Sequence, residues 1–296
     1  MKKSFIIIMA FVATVSTVSC EKFISGLYEP AFVKAIDSSD EGSFTATFEV
    51  NTMTKTALLD DAQGTSYCLN WSYGDKISIS DGTSLSVYRT NSTGVSNATF
   101  NLYEGTALSA KGPYTAYYPA TMSEKSMVLP NEQYYVRNNV ENFPMRAVSD
   151  NHNLKFKNLC GIICLNLKSE TSYNFKVSRI ILSSPGKGMS GEFTISDDAA
   201  VVSSSSEVVL SCANPVSLYS SVPTSFNVVV PMGSYNPLFV TIIGPDGDEI
   251  ELASDAAVKV ARSGMTRLNI TLKDSSFGSG LEIIPITDSD VDFSNR

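Results

Sequence analysis

The chain has 296 residues, of which 43% are hydrophobic and 18% are charged, so it can bury a core and does not have the composition of a disordered polymer. Its net charge of −8 argues against nucleic acid or an anionic lipid surface as a partner, because either would need a basic face. The single histidine, His152, and the lack of a CxxC pair exclude the common zinc patterns, and we predict no metal and no cofactor.

The first twenty residues predict export. Two lysines begin the segment, an apolar run continues to Val15, and Cys20 closes it. The run is too short to span a bilayer and has the flanks of a secretory signal peptide. Its ending, TVSC, resembles the lipobox of bacterial lipoproteins, in which the cysteine becomes the acylated first residue. We predict a signal peptide at 1–19 and lipidation at Cys20; the alternative is ordinary secretion with cleavage near Ser19.

Beyond the leader, period-two alternation predicts strands almost everywhere. Residues 43–50 alternate as a half-buried first strand. Asp81-Gly82 and Asp246-Gly247, each between alternating runs, predict hairpin turns. Further strands are predicted at 76–80, 84–88, 98–102, 114–118, 126–129, 154–159, 162–168, 174–182, 191–196, 207–211, 226–231, 237–243, 248–252 and 266–272.

Short strands at regular spacing with turn signals between them favour an all-β fold of two antiparallel β-sandwich domains in tandem. Removing residues 1–19 leaves 277 residues, which is enough for two domains. The polar stretch 149–153 is the predicted boundary. We therefore divide the chain into a tether at 20–42, an N-terminal sandwich at 43–150, a C-terminal sandwich at 151–274 and a tail at 275–296.

Four cysteines remain beyond Cys20, and they allow either two disulfides in one of three pairings or buried thiols. Cys160 and Cys164 share one predicted strand, where residues four apart are about 13 Å from each other and cannot form a disulfide. Thiols that pack as small hydrophobic groups are the favoured interpretation. The disulfide state of Cys68, Cys160, Cys164 and Cys212 stays open.

Six short motifs follow one another along the chain in a recognisable order. They are MTKT at 53–56, WSYGDKI at 71–77, FPM at 143–145, LKFKNL at 154–159, SGEFTI at 190–195, and VP followed by GSY at 230–235. In this order, and behind the lipobox, they resemble the fimbrillin family of Bacteroidales, type V pilin-like surface lipoproteins that polymerise into fimbriae.

This resemblance implies two transthyretin-like β-sandwiches and assembly by strand exchange. In the family, an arginine- or lysine-specific protease at the cell surface removes the first strand, and a strand from the next subunit fills the open groove. Carried onto this sequence, the removed strand is 43–50 and the cut falls between Lys55 and Thr56. The implied partners are other fimbrial subunits, the outer membrane through the lipid anchor, and a surface ligand of the host or of another bacterium.

The tail supplies the candidate donor strand. A small, flexible linker follows the last predicted sandwich strand, and apolar residues then resume on either side of Pro285. The alternative is a frayed terminus. The candidate donor residues are Leu281, Ile283, Ile284, Ile286, Val291 and Phe293.

Other candidate sites are better explained as core. Trp71 is predicted to anchor the core, and the aromatic strand at 114–118 is predicted to pack inward and not to line a glycan surface. No Ser/His/Asp or Cys/His set appears, so we predict that the protein is not an enzyme. The leading hypothesis is a structural or adhesive subunit of a fimbria at the outer membrane. The alternative is a monomeric outer-membrane lipoprotein that binds glycan.

Overall fold

The computed structural model describes residues 42–49, 57–60, 65–109, 111–121, 127–137, 139–140, 143–172, 174–196, 199–202, 204–254, 256–274, 284–286 and 291–292. The regular elements in these ranges are β-strands, which confirms the predicted all-β fold. In this part of the chain no helix has the length and apolar character needed to cross a membrane. All of these residues belong to one compact unit, Glu41–Arg296.

The strands follow one another in chain order. They are β1 Phe44–Phe48, β2 Ala57–Asp60, β3 Thr65–Cys68, β4 Lys76–Ser80, β5 Leu85–Thr90, β6 Asn97–Glu104, β7 Tyr114–Tyr118, β8 Met127–Leu129, β9 Glu132–Tyr134, β10 Met145–Ser149, β11 Asn153–Asn158, β12 Cys160–Ser169, β13 Lys176–Ser183, β14 Gly191–Ser196, β15 Ala199–Val202, β16 Glu207–Ser217, β17 Thr224–Pro231, β18 Gly233–Tyr235, β19 Phe239–Ile243, β20 Glu249–Ser254, β21 Val258–Val260, β22 Met265–Leu272, β23 Ile284–Ile286 and β24 Val291–Asp292.

The first sheet closes into a seven-stranded barrel in the order β1-β11-β10-β7-β4-β5-β6. Every neighbouring pair is antiparallel except β1 and β11, which run parallel. Closure pairs both sides of every strand and so removes the exposed edges that an open sheet would have. Aromatic rings dominate the interior, among them Phe44, Trp71, Tyr88, Phe100, Tyr114 and Phe156.

This barrel differs from the predicted N-terminal sandwich in two ways. The sheet closes on itself, and its seventh strand is β11, which we predicted would open the second domain. The predicted boundary at 149–153 is instead the turn between β10 and β11, two neighbours in the barrel. The division into domains stays a prediction, but β11 belongs with the first sheet.

The second half of the chain forms a sandwich. A four-stranded sheet, β17-β12-β22-β24, and a six-stranded sheet, β23-β20-β19-β13-β16-β9, contribute to one apolar core. The hairpin predicted at Asp246-Gly247 joins β19 to β20, and Gly247 has φ 88°, a conformation that glycine adopts without steric cost. The hairpin predicted at Asp81-Gly82 likewise joins β4 to β5.

Strand β12 is buried on both faces. Its odd-numbered residues, such as Ile163 and Leu165, lie in the sandwich core. Its even-numbered residues, such as Cys160 and Ile162, lie in a second cluster with residues of the small sheet β15-β14-β8 and with Tyr117 of β7 in the barrel. The nearly continuous apolar run of β12 is therefore explained by burial on two sides.

Candidate functional site

The first strand of the barrel is held on both sides. β1 runs parallel to β11, with Ala46 opposite Leu154, and antiparallel to β6, with Ala46 opposite Ala98. Its alternation places Phe44 and Ala46 in the interior, at 1% and 0% exposure, as the sequence predicted. The strand that the fimbrillin resemblance marks for removal is thus an interior member of a closed sheet.

Aromatic contacts fix the side chains of β1. The ring of Phe44 packs edge-on against Tyr88 and Tyr114, with centroids 5.0 and 4.9 Å apart. The ring of Phe48 stacks on Trp71 at 4.6 Å. Such pairs add a preferred geometry to the hydrophobic gain of burial. Loss of β1 would therefore leave an apolar slot lined by these rings.

The side chain of Trp71 also forms a hydrogen bond to the backbone of β1. The indole Nε1–H donates to the carbonyl oxygen of Ala46 over 3.0 Å, and the ring is 1% exposed. The prediction that Trp71 anchors the core is confirmed. Its function is to hold the first strand, because both its ring and its one polar group contact β1.

The end of β1 is tied to the second half of the chain. The backbone N–H of Glu49 donates to the carbonyl of Phe156 over 2.7 Å. Its carboxylate pairs with the guanidinium of Arg262 at 3.2 Å, and the same nitrogen of Arg262 donates to the carbonyl of Asn158 over 3.2 Å. Arg262 lies between β21 and β22, so this contact joins residues 213 positions apart. No local pattern in the sequence could have revealed it.

The tail forms two short edge strands on its own chain. β23 pairs in parallel with β20, where Ile284 lies opposite Leu252 and Ile286 opposite Ser254. β24 pairs antiparallel with β22 at the edge of the other sheet of the sandwich, where Val291 lies opposite Leu268. The predicted donor residues Ile284, Ile286 and Val291 therefore lie in strands.

The other predicted assembly residues lie outside the described part of the chain. They are Cys20, Lys55, Thr56, Leu281, Ile283 and Phe293.

The cysteines support the interpretation of buried thiols. Cys160, Cys164 and Cys212 are thiols that form no disulfide, and the side chain of Cys68 lies outside the described part. Burial raises the pKa of Cys160 well above its usual range and that of Cys212 to about 11. Both thiols are therefore protonated at neutral pH, which disfavours nucleophilic chemistry.

The histidine packs in the barrel and shows no metal-site pattern. His152 Nε2 lies 3.1 Å from the hydroxyl of Tyr114, and its ring contacts Phe44 at 4.4 Å between centroids. Within the described ranges, no three His, Cys, Asp or Glu side chains come together as metal ligands would.

The aromatic strand β7 is also buried. Tyr114 lies in the barrel interior and Tyr117 in the cluster with β12, at 0% and 5% exposure, so they are core residues and not a glycan surface, as predicted. The carboxylate of Asp81 lies in the turn that joins β4 to β5. Hydrogen bonds from the backbone of Ser109 and from Thr83 and Ser84 hold the pKa of Asp81 well below its ordinary value.

Comparisons with known proteins bear on the fold. No protein-family model matches the chain, and no curated protein matches it. A candidate cell adhesion protein from Bacteroides ovatus shares 12% identity over 78% of this chain and 92% of its own, with a TM-score of 0.52. Another from Bacteroides uniformis shares 15% identity over 79% and 93%, with a TM-score of 0.48. The C-terminally truncated tip fimbrial protein Mfa3 from Porphyromonas gingivalis shares 9% identity over 77% and 95%, with a TM-score of 0.34.

The first of these matches shows that this chain shares its fold with the Bacteroides ovatus protein. That Bacteroides ovatus structure is named for cell adhesion.

Proposed function

We propose that this chain is a structural or adhesive subunit of a cell-surface fimbria, assembled by exchange of its first strand. The observation that carries the proposal is the position of β1, the first described strand. It pairs on both sides within the barrel sheet, and its side chains Phe44 and Ala46 point into the barrel interior. Loss of an interior strand leaves two facing rows of unpaired backbone groups over an apolar slot. β-Augmentation by an incoming strand would pair these backbone groups and fill the slot with apolar side chains.

The order of features along the chain makes one cut sufficient. Cys20 precedes β1, and Lys55 follows it before β2. Cleavage between Lys55 and Thr56 would therefore separate the lipid anchor and β1 together from the rest of the subunit. After the cut only non-covalent contacts hold β1, so an incoming strand can displace it.

The tail is the proposed donor. β23 is three residues long and β24 is two, and each pairs with its own chain on one side. Leaving these positions gives up few backbone hydrogen bonds, whereas entering the slot gains pairing on two sides. Alternating apolar residues of the tail would fill the places that Phe44 and Ala46 vacate.

The proposed location is the outer face of the outer membrane before cleavage and the fimbrium after it. The signal peptide and the lipobox support export and acylation at Cys20. The fold shared with a candidate cell adhesion protein supports a role at the cell surface.

Mapping the amino terminus of the protein on its native cell surface tests this proposal. We expect two forms, one that begins at acylated Cys20 and one, in the polymer, that begins at Thr56. Lys55→Ala should remove the second form and stop polymerisation, while Lys111→Ala, a change at another lysine, should leave both forms intact. Polymer of normal length from Lys55→Ala would contradict cleavage-triggered assembly.

A further inference from the structure

Two cations face each other on the outside of the barrel. Lys76 and Arg89 are directly opposite in the antiparallel pair β4–β5. Like charges at such positions repel and destabilise the pair. Among the described residues, neither side chain has a carboxylate at ion-pair distance, and the buried Nε of Arg89 has no hydrogen-bond partner. Two adjacent uncompensated cations stand out in a chain of net charge −8.

Two tyrosine rings flank these cations. The Nζ of Lys76 lies 4.1 Å from the ring centroid of Tyr103, and the guanidinium of Arg89 lies 5.0 Å from the ring of Tyr73 and 5.6 Å from that of Tyr103. Cation–π attraction at these distances fixes both charges beside the rings. The rings nevertheless remain open to solvent, with 66% of Tyr73 and 50% of Tyr103 exposed.

The backbone holds each ring in place. Tyr103 is the extra residue of a β-bulge in β6, since the pairing of β6 with β5 skips from Leu102, opposite Tyr88, to Glu104, opposite Val87. Bulges of this kind re-aim a side chain, here over the two cations. Tyr73 lies in a turn that the carboxylate of Asp75 closes by accepting the backbone N–H of Ser72 over 2.8 Å.

We infer that Tyr73, Lys76, Arg89 and Tyr103 form a binding site for an acidic oligosaccharide, one whose sugar ring carries a carboxylate. A guanidinium and an ammonium side by side suit a carboxylate, which accepts charge-assisted hydrogen bonds from both. The exposed tyrosine faces suit the C–H groups of a pyranose ring. An acidic peptide would use the cations but has no rigid ring to place on the two tyrosines.

The site does not require strand exchange, because none of its four residues belongs to β1 or to the tail. The acidic-sugar site would therefore remain valid if the fimbrial proposal failed. If the sugar site failed, the proposed assembly would be unaffected.

Isothermal titration of the purified protein tests the inference. The probes are two carboxylated oligosaccharides, sialyllactose and trigalacturonate, with neutral lactose and a hexaglutamate peptide for comparison. We expect an acidic sugar to bind and to weaken as salt is raised, since exposed charges are screened. Arg89→Gln and Tyr103→Leu should each weaken binding on the order of tenfold. Lys155→Gln and Tyr219→Leu change an exposed lysine and an exposed tyrosine elsewhere and should leave binding unchanged.

Absence of binding by both acidic sugars would overturn the inference, as would equal binding of lactose. Binding of hexaglutamate as tight as that of the acidic sugars would assign the patch to acidic peptides instead. A loss of affinity in the two control variants as large as in Arg89→Gln would show that the four residues are not the site.

Discussion

The first strand and the tail are both candidates for exchange, yet the chain holds them very differently. β1 is five residues long, pairs on two sides and buries aromatic side chains, whereas β23 and β24 are three and two residues long and pair on one side each. β1 is retained by core packing and by pairing on two sides, whereas the described pairing of each tail strand is short and on one side. Such an asymmetry suits a subunit whose slot is closed until the chain is cut and whose donor leaves its place easily.

Deletion of residues 43–50 should have the largest effect on stability. Full burial of Phe44 contributes about 1.5–3 kcal/mol, and the partly buried Phe48 and the backbone pairing on two sides add to it, so the loss is a large part of the 5–15 kcal/mol typical of a whole domain. We expect the free energy of unfolding to fall by about 5 kcal/mol or more, measured with a chemical denaturant. A synthetic peptide with the sequence 43–50, added in excess, should restore it. Unchanged stability without β1 would show that the barrel does not need this strand.

Substitutions at two neighbouring positions separate the contribution of the inward side chains of β1 from that of the outward ones. Phe44→Ala should cost about 3–5 kcal/mol, because it empties the space between Tyr88 and Tyr114. Thr45→Ala, on the outward face of the same strand, should cost less than about 1 kcal/mol. Equal effects of the two variants on the denaturation midpoint would contradict a slot that side chains define.

The contact at the end of β1 should make a smaller contribution. Glu49 and Arg262 are about one quarter exposed, so solvent weakens their attraction. A double-mutant cycle with Glu49→Gln and Arg262→Gln should give a coupling energy of about 1 kcal/mol. No coupling would mean that the ion pair does not help to retain the strand.

Deletion of residues 277–296 should change stability least. We expect a loss of about 1 kcal/mol or less, because in the described part of the tail the residues that pair with the rest of the chain are the five of β23 and β24. The shortened protein should still add to a growing filament but should not accept a further subunit, which electron microscopy of filament length would show. Filaments of normal length would contradict the donor role of the tail.

Local patterns predicted the strands well and their pairing only in part. Alternation identified β1 and the inward side chains Phe44 and Ala46, and Asp-Gly turns identified two hairpins, because these features depend on neighbouring residues. Closure of the barrel was not predicted, since it depends on the parallel pairing of β1 with β11 more than a hundred positions later. The same limit hid the contact of Glu49 with Arg262 and the bulge that aims Tyr103.

The central claim is that the tail of one subunit takes the place of β1 in another. Lys155 of β11 is exposed and lies opposite Thr47 of β1, so its amine marks the slot from outside. A zero-length carbodiimide cross-linker joins such an amine to a carboxylate in direct contact. Glu282 and Asp292 each lie between two apolar residues of the tail and would point outward from a strand in the slot.

The measurement is mass spectrometry of filaments assembled from a mixture of ¹⁵N-labelled and unlabelled subunits and then cross-linked. The account predicts mixed-isotope peptides in which Lys155 of one copy is joined to Glu282 or Asp292 of another, and their loss in Lys155→Arg. Filaments in which the tail is joined only to its own copy, or in which Lys155 is joined only to residues of β1, would contradict it.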